Sequence, residues 1–364
     1  MTTRRAFLAL GAAAAAMAAC RRDRDVPAMM TPLPVEPSSG PPPAGLRTVA
    51  QWTDVFRQSW DYQYATGLPM SKSPDSWDHY DLSYSVDSCV AMYRATGEHR
   101  YLDRALLFVE NVATAATPSK SLAHSSFRDG YLGWASAKSG EGGDEVPLYE
   151  SYFWRYGTAL LVAMRDGGAQ GDRYQRLLDF AETHVFEKWY SRGADEAIYR
   201  DRTHLAAHWA LIAHNLAQVT TDAARAARYR SVAGAIDRRL RAQLRRNPVE
   251  PTAYFWSDRW GSARRPGQDV SHGNGVIAYV VEAGWTRAEM AAFAALLTKV
   301  VWPGGTVYKG YVDGSGTDNG WLADGFVKLG RFDAGAQLRL DGHRVVNDQF
   351  AANMALNARI RKGG

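Results

Sequence analysis

The segment "SYSVDSCVAMYRATGEHRYLDRALLFVENVA", residues 83–113, decides the fold. Its first half carries apolar or small residues on most faces, which predicts a helix that is buried all round. Its second half, after a short polar turn at Gly97, is amphipathic and carries Arg and Asp, which predicts a helix exposed on one side. The same buried-then-exposed order recurs in residues 152–185, 205–240 and 268–297. The chain is therefore expected to fold as a series of helical hairpins.

The number of these hairpins predicts how they are arranged. A shorter copy covers residues 321–340, and helices expected around 48–63 and 348–361 bring the total to about six pairs. No pattern of strands alternates with the helices. We therefore predict an all-α fold, an (α/α)6-like toroid of inner and outer helices with long loops at one mouth. An open helical solenoid is the structural alternative, although a solenoid would be expected to show a more regular period.

The motif "YRATGEHRYLDRAL", residues 93–106, resembles a pattern of the helical-toroid carbohydrate-active enzymes. These include polysaccharide lyases, uronyl epimerases, and unsaturated-uronyl or other inverting glycoside hydrolases. The resemblance covers most of the mature chain and implies the toroid architecture. It does not select one reaction, because this fold hosts several chemistries.

The first 20 residues, "MTTRRAFLALGAAAAAMAAC", predict an export signal. Arg4 and Arg5 precede an apolar run that is too short to cross a bilayer core of about 30 Å, and "TRRAFLAL" resembles the twin-arginine signal. The ending "MAAC" resembles a lipobox, in which Cys20 would be lipidated; a soluble periplasmic protein cut near Ala19 is the alternative. We therefore expect an exported protein that is periplasmic or anchored to the outer membrane, with Cys20 as its only membrane attachment.

The remaining sequence predicts a tether followed by one domain. Residues 21–46 are rich in proline and lack aromatic residues, which is typical of an extended tether, and no linker divides residues 47–364, the predicted single toroid catalytic domain. The chain has 43 Lys and Arg against 38 Asp and Glu. This mild positive charge is compatible with an anionic substrate, and because the arginines are scattered we predict no nucleic-acid partner. Cys89 is expected to be a buried, inert thiol, and nothing in the sequence indicates an oligomeric state.

Four long connections predict the working end of the domain. They cover residues 117–147, 191–201, 247–268 and 302–317, and each leads to the start of an inner helix. Long loops in compact domains are usually functional or disordered, and the aromatic residues of these loops argue against disorder. We therefore expect a cleft where the inner helices begin, since free N–H groups and the helix dipole also favour an anion there.

The starts of the inner helices are unusually polar. They are rich in His, Asp, Asn, Arg, Tyr and Trp, and they cover residues 76–84, 148–156, 199–209, 268–274 and 317–325. One Ser, Thr, Asp or Asn per helix would be enough for capping. The excess is typical of a sugar site, which needs aromatic faces for stacking and polar groups for hydroxyls and charges.

We predict that these polar segments and the loops beside them supply the site. The candidate catalytic residues are Tyr152, His208, His272 and Glu150. The candidate substrate-binding residues are Arg155, Arg202, His204, Asn274, Asp269, Trp77, Trp154, Trp256, Tyr308, Asn319 and Trp321. The structural alternatives are a buried ion pair of Glu150 with Arg155 that braces the helices, and an N-cap role for Asp269.

The two histidines at positions 204 and 208 have the i,i+4 spacing of a zinc site. However, Leu205 stands where the HExxH motif has its glutamate, and cysteine ligands are missing. Satisfied structural histidines and substrate-contacting histidines are both more common explanations. We therefore predict no metal and no cofactor.

β-Elimination on a uronate polymer agrees best with this set of residues. It requires a base for the acidic C5 proton and a group that holds the carboxylate. The tyrosine and histidine candidates can transfer protons, and Arg155, Arg202 and Asn274 can hold the carboxylate. We therefore expect a polysaccharide lyase that acts on an acidic, uronate-containing polysaccharide.

Two other functions remain open at this point. Inverting hydrolysis of uronyl oligosaccharides needs two carboxylic acids about 6.5–9.5 Å apart, and Glu150, Asp201, Asp269 and Asp318 lie on different helix starts. Histidines around the acids are less expected for that chemistry. A non-catalytic glycan-binding envelope lipoprotein would need the aromatic residues but not the proton-transfer groups.

Overall fold

The computed structural model describes residues 45–362, so the predicted export signal, Cys20 and nearly all of the tether lie outside the described residues. Within that range the protein is predominantly helical, with 13 helices, 63% helix and 5% strand, which confirms the all-α class. Among these helices, none combines the length and the apolar character needed to span a bilayer.

The helices cover most of the described range. In chain order they are α1 (Val49–Arg57), α2 (Trp60–Ser71), α3 (Ser76–Thr96), α4 (His99–Thr114), α5 (Pro147–Asp166), α6 (Asp172–Phe180), α7 (Lys188–Ala197), α8 (Thr203–Val219), α9 (Ala223–Gln243), α10 (Val270–Glu282), α11 (Arg287–Ala295), α12 (Ala334–Asp341) and α13 (Asp348–Lys362). Two π-helical segments, Ala181–Glu187 and Leu296–Val301, extend α6 and α11, and 3-10 helices cover Ser119–Ser121 and Phe326–Arg331. Two short antiparallel pairs complete the described part: β1 (Thr117–Pro118) with β2 (Leu132–Gly133), and β3 (Arg245–Arg246) with β4 (Tyr254–Phe255).

Capping residues determine where the buried helices begin. At the start of α3 the Asp75 carboxylate accepts the N–H of Trp77 at 2.9 Å. Asp269 caps α10 in the same way and accepts the N–H of His272 at 3.0 Å. The polar, glycine-rich stretch that follows Asp269 is therefore the first turn of a helix, as the sequence predicted.

The pairs α3–α4 and α8–α9 show the predicted order of a buried helix followed by an amphipathic one. Most side chains of α3 and α8 are buried, whereas α4 and α9 each expose one side. Helix α3 packs against α5 and α13, and α8 packs against α5 and α10. The 3-10 helix Phe326–Arg331 contacts both α10 and α13. Each of the six buried segments thus packs against two of the others; they are α3, α5, α8, α10, Phe326–Arg331 and α13.

Three of the long connections lie against the starts of buried helices. Backbone bridges attach residues 117–147 to the start of α3, residues 247–268 to α8, and residues 302–317 to α10; the bridged pairs are Asp75–Ala135, Arg202–Arg259 and Asp269–Tyr311. The fourth predicted connection, residues 191–201, is mostly helical, because α7 continues to Ala197. The sequence therefore located three of the four loops correctly.

Two predicted helices are less regular than expected. The helix expected at residues 48–63 is divided into α1 and α2. The first half of the last predicted pair, between Trp321 and α12, contains only a 3-10 helix. A Cβ atom at Gly325 would lie 2.1 Å from the backbone oxygen of Asn274. The two backbones therefore pack directly on each other, and the Asn274 side chain accepts the N–H groups of Gly325 and Phe326 at 2.9 and 3.0 Å.

The core is continuous and contains five fully buried tryptophans: Trp52, Trp134, Trp154, Trp209 and Trp256. Cys89 lies in the same core, and burial raises the pKa of its thiol to about 12. This agrees with the prediction of an inert thiol.

Candidate functional site

Aromatic and imidazole rings from three helices form a continuous row, here called the Tyr–His row. It consists of Tyr152 on α5, His208 and His204 on α8, and His272 on α10. The ring centroids of Tyr152 and His208 are 4.9 Å apart, and those of His204 and His208 are 6.1 Å apart. The His204 and His272 centroids are separated by 4.4 Å. Three of the four predicted catalytic residues therefore belong to one cluster, although the chain separates them widely.

The Tyr–His row leads from the surface into the interior. The His272 side chain is 52% exposed, whereas His204, His208 and Tyr152 are buried. Glycine at position 275 makes this packing possible, because a Cβ atom there would lie 2.6 Å from His208 Nε2. The glycine-rich start of α10 thus allows a histidine from α8 to approach its backbone.

Tyr152 is held by an aromatic wall that consists of Trp77, Tyr80, Tyr84 and Trp321. The hydroxyls of Tyr152 and Tyr84 share a hydrogen bond of 2.9 Å, and the Tyr152 ring stacks on Tyr80 with centroids 3.9 Å apart. Trp77 also stacks on Tyr80, with centroids 4.9 Å apart, and the Trp321 and Tyr84 centroids are 5.6 Å apart. Trp77, Tyr80 and Trp321 are partly exposed, so the wall offers aromatic surface to a ligand.

Tyr80 and Tyr84 were not among the candidates selected from the sequence. A signal for them was present, because Trp77, Tyr80 and Tyr84 follow each other at intervals of three and four residues and therefore share one face of α3. Their partner Tyr152 lies on another helix. The hydrogen bond between the two phenols could not be derived from spacing along the chain.

A buried ion pair lies beneath the Tyr–His row. Arg155 Nη2 donates to both carboxylate oxygens of Asp324, at 3.0 and 2.9 Å, and the Tyr156 hydroxyl donates to the same carboxylate. The Arg155 guanidinium lies 4.0 Å from the centroid of the Tyr152 ring. Burial opposes ionisation of Asp324, but Arg155 and then Lys328 hold the pKa of its carboxyl below the usual value. The pair therefore remains ionised at neutral pH.

Burial determines the protonation states inside the row. Burial lowers the pKa of His208 well below its usual value, and the Arg155 charge lowers it further. The pKa of His204 is lowered in the same way, first by burial and then by His272. Burial, followed by the charge of Asp324, raises the pKa of Tyr152 well above that of a free phenol. At neutral pH the row therefore contains two neutral imidazoles and a protonated phenol.

Asp269 orients the exposed end of the row. His272 Nδ1 lies 2.8 and 2.9 Å from the two Asp269 oxygens, and Asp269 also accepts a hydrogen bond from Ser271. Burial would raise the pKa of Asp269, but the hydrogen bonds from His272 and Ser271 outweigh it and lower that pKa. An ionised carboxylate can only accept, so Nδ1 is the donor. When His272 is neutral, its Nε2 therefore carries the lone pair.

Glu150 does not join the Tyr–His row. Its two oxygens accept hydrogen bonds from Lys188 Nζ at 2.7 Å and from Trp189 Nε1 at 2.8 Å, and the residue is buried. Lys188 also contacts Glu145, and Arg192 contacts Glu145 in turn. The structure does not support a catalytic role for Glu150, because both oxygens are already used in this buried network. The ion pair expected with Arg155 is also not formed, since Arg155 pairs with Asp324.

Four predicted substrate contacts are buried inside the protein. Trp154 stacks on Phe180 inside the core, and Trp256 is completely buried, so neither presents a face to a sugar. Asn274 donates to the backbone oxygen of Trp321 at 2.9 Å, and its own oxygen accepts two N–H groups. Arg155 is fully buried in its ion pair. These side chains stabilise the site from within and do not line it.

The other predicted residues lie outside the Tyr–His row and the aromatic wall. Arg202 is partly exposed and forms an ion pair of 2.5 Å with Asp258. Asn319 is exposed. The Tyr308 hydroxyl shares a hydrogen bond of 2.8 Å with His343 Nδ1. The carboxylates considered for hydrolysis are also engaged: Asp201 pairs with Arg259, and Asp318 accepts the N–H of Gly320 at 3.0 Å.

Two cavities lie away from the Tyr–His row. One, of about 530 Å³, is lined by the distal halves of α3, α5, α8 and α10, at the opposite ends of these helices. The other is an open groove of about 940 Å³ that includes Tyr308 and Asn319. Within residues 45–362, no group of three or more His, Cys, Asp or Glu side chains could hold a metal ion. Comparisons with protein-family models, curated protein sequences and solved structures gave no significant match to this chain.

Proposed function

We propose that the protein is an exported toroid enzyme, a lyase that cleaves an acidic, uronate-containing polysaccharide by β-elimination. The observation that carries this proposal is the Tyr–His row, in which proton-transfer groups from α5, α8 and α10 lie in contact beside a partly exposed aromatic wall. The packing order α3, α5, α8, α10, Phe326–Arg331, α13 and back to α3 supports a closed ring of inner helices. In such a ring the helix starts surround one mouth.

The protonation states support a division of roles within the row. His272 acts as the base, because Asp269 holds its Nδ1 as a donor and leaves Nε2 free to accept a proton. Tyr152 acts as the acid, because its raised pKa keeps the phenol protonated. His272 takes the C5 proton, the C4–C5 double bond forms as the C4–O4 bond breaks, and Tyr152 gives its proton to the departing O4. Tyr84 stabilises the resulting phenolate through the shared hydrogen bond.

The two buried histidines are suited to bind the substrate between these groups. His204 and His208 each have an Nδ1 atom that is buried and without a hydrogen-bond partner among the described residues. Buried polar atoms in proteins nearly always have a partner, so a water molecule or a polar group of a ligand is expected beside these two atoms. A uronate carboxylate or hydroxyl would supply it, and the Arg155 charge beneath would favour the negative charge that develops at the carboxylate.

Inverting hydrolysis receives less support from the geometry. Of its four candidate acids, Glu150 is enclosed with Lys188, Asp201 pairs with Arg259, and Asp269 holds His272. A simple glycan-binding protein would need the aromatic wall but would have no use for the His272–Asp269 pair. The lyase proposal uses both features.

A screen of uronate polymers tests the proposal. The protein is incubated with polygalacturonate, alginate and glucuronate-containing glycosaminoglycans, and the absorbance of an unsaturated product is followed. We expect one polymer to be cleaved, and we expect His272→Asn and Tyr152→Phe to reduce turnover by about 10²–10⁴-fold while binding is retained.

Two exposed residues provide matched controls for these variants. His99→Asn changes an exposed histidine at the start of α4, and Tyr62→Phe changes an exposed tyrosine on α2. Both should keep full turnover. Equal losses in the control and row variants, or full turnover in both row variants, would contradict the assigned roles.

A further inference from the structure

The groove of about 940 Å³ lies outside the Tyr–His row and has a strongly basic lining. It runs between the end of the π-helical segment Leu296–Val301, the loop at residues 302–319, and α12 with the turn after it. Three cationic side chains line it, Lys299, Arg339 and Arg344, against one carboxylate, Asp318. The remaining lining includes hydroxyl and amide side chains that can bind sugar hydroxyls.

The two arginines of this groove are free to bind a ligand. Within residues 45–362, neither Arg339 nor Arg344 forms an ion pair, and Arg344 is exposed. The Arg339 guanidinium lies 5.8 Å from the centroid of the Trp302 ring, which places it over the groove wall. Lys299 is less available, because its Nζ lies 3.5 Å from a Glu250 oxygen. Positive charge in the groove therefore comes mainly from two guanidinium groups, which match carboxylates geometrically.

One side of the groove is close to the aromatic wall along the chain. Asn319 lines the groove, and Trp321, two residues later, contacts Tyr84 of the aromatic wall at 5.6 Å. Two residues of chain span at most about 7 Å. The backbone beside the aromatic wall is therefore within about 7 Å of the backbone that lines the groove, a distance that one polymer chain can bridge.

We propose that this groove binds further uronate units of the polymer chain that is cleaved at the Tyr–His row. The proposal rests on the proposed function, and it assigns Arg339 and Arg344 to carboxylates one or more units away from the reacting sugar. Leu338 is 66% exposed beside them and offers an apolar surface to the C–H face of a sugar ring. The groove therefore favours long anionic chains over short ones.

The test compares binding of two double variants to uronate polymers. Arg339→Gln/Arg344→Gln removes the free cations of the groove, and Arg230→Gln/Arg246→Gln removes two exposed arginines on α9 and β3 with the same change in net charge. Affinity is measured by retardation in native gels that contain polygalacturonate or alginate, with dextran as the neutral control. Unfolding midpoints in urea verify that all the proteins are folded.

Because each exposed ion pair contributes only a few-fold to affinity, we expect the groove variant to bind the retained polymer roughly fivefold to tenfold more weakly. The control variant should bind like the wild type, and added salt should reduce the difference. On short oligomers the groove variant should keep wild-type turnover. The proposal would be overturned by equal losses in both variants, by equal retardation in dextran, or by no binding to either uronate polymer.

The two proposals can fail separately in this design. If polymer binding depended on Arg339 and Arg344 but no unsaturated product formed, the groove proposal would be supported and the lyase proposal would be contradicted. If the groove variant formed unsaturated product from limiting amounts of long polymer as fast as the wild type does, the lyase proposal would be supported and the groove proposal would be contradicted.

Discussion

Gly275→Ala tests whether the start of α10 is glycine-rich because the Tyr–His row needs the space. The added Cβ would lie 2.6 Å from His208 Nε2, whereas ordinary contact begins at 3.4 Å, so the imidazole must move by about 0.8 Å. His208 is almost completely buried and contacts Tyr152, which leaves it little room. Overpacking of this kind costs about 1–3 kcal/mol, and the gain in helix propensity offsets about 1 kcal/mol of that.

Gly273→Ala is the matched control, because it makes the same substitution two residues earlier in the same helix. Its Cβ would meet Trp256 at 3.5 Å, which is ordinary contact. Because the propensity gain is common to both variants, their difference isolates the clash with His208. We expect Gly275→Ala to be about 1–3 kcal/mol less stable than Gly273→Ala in urea unfolding. Only Gly275→Ala should also lose turnover, since it displaces the ring next to Tyr152.

The reasoning would be refuted if the two variants had the same free energy of unfolding and the same turnover. That result would show that His208 can move without cost and that its position does not matter to the reaction. If both variants lost the same free energy of unfolding and neither lost turnover, the expected effect of Gly275→Ala on the reaction would also be contradicted.

Three further predictions concern stability. Asp324→Asn leaves the Arg155 charge buried and unpaired, so it should lower the free energy of unfolding in urea by about 3–5 kcal/mol. The control Glu187→Gln removes a partly exposed ion pair with Arg228 and should lower it by less than about 1 kcal/mol. Because the pKa of Asp324 is lowered in the folded protein, its contribution to the free energy of unfolding is present above the unfolded pKa of about 3.9 and is lost as pH falls through the folded pKa. The difference in free energy of unfolding between the wild type and Asp324→Asn should therefore become smaller below about pH 4. Burial lowers the pKa of His79 to about 4, so the unfolded chain binds the proton at a higher pH than the folded protein does. The free energy of unfolding should therefore fall as pH decreases from about 6.5 to about 4. His79→Gln should reduce the slope of this free energy against pH by up to about 1.4 kcal/mol per pH unit, measured by urea unfolding across this range.

The helical architecture could be predicted because its signals are local. Apolar periodicity distinguishes α3 and α8 from α4 and α9, and Asp269 caps α10 at the position considered for it in the sequence. The meeting of Tyr152, His208 and His272 followed from the same pattern, since all three lie in the first two turns of buried helices. The position of each residue within its repeated helix was therefore enough to predict that the three residues lie close together.

The partners of the candidate residues could not be predicted in the same way. Arg155 and Asp324 are 169 residues apart, and no local pattern indicates that they form an ion pair. The Glu150 oxygens are occupied by Lys188 and Trp189 at the start of α7, a helix that the sequence did not predict. In each case the tertiary contact decides whether a polar side chain faces a substrate or the protein.

The burial of tryptophans raised the same problem. Trp77 and Trp256 both have polar neighbours in the sequence, yet Trp77 is partly exposed on the aromatic wall and Trp256 is enclosed in the core. Trp256 packs against Phe293 and close to Gly273, so residues distant in the chain enclose its ring. Composition around a tryptophan therefore predicts a subsite less well than the packing of the next helix does.

The ratio of products tests the central claim most directly. For the polymer that the screen identifies, unsaturated ends and new reducing ends are counted in the same reaction with the wild-type protein. β-Elimination at the Tyr–His row predicts one unsaturated end for every new reducing end, and both should disappear together in Tyr152→Phe. New reducing ends without unsaturated ends would contradict the claim, and so would the absence of cleavage on every uronate polymer tested.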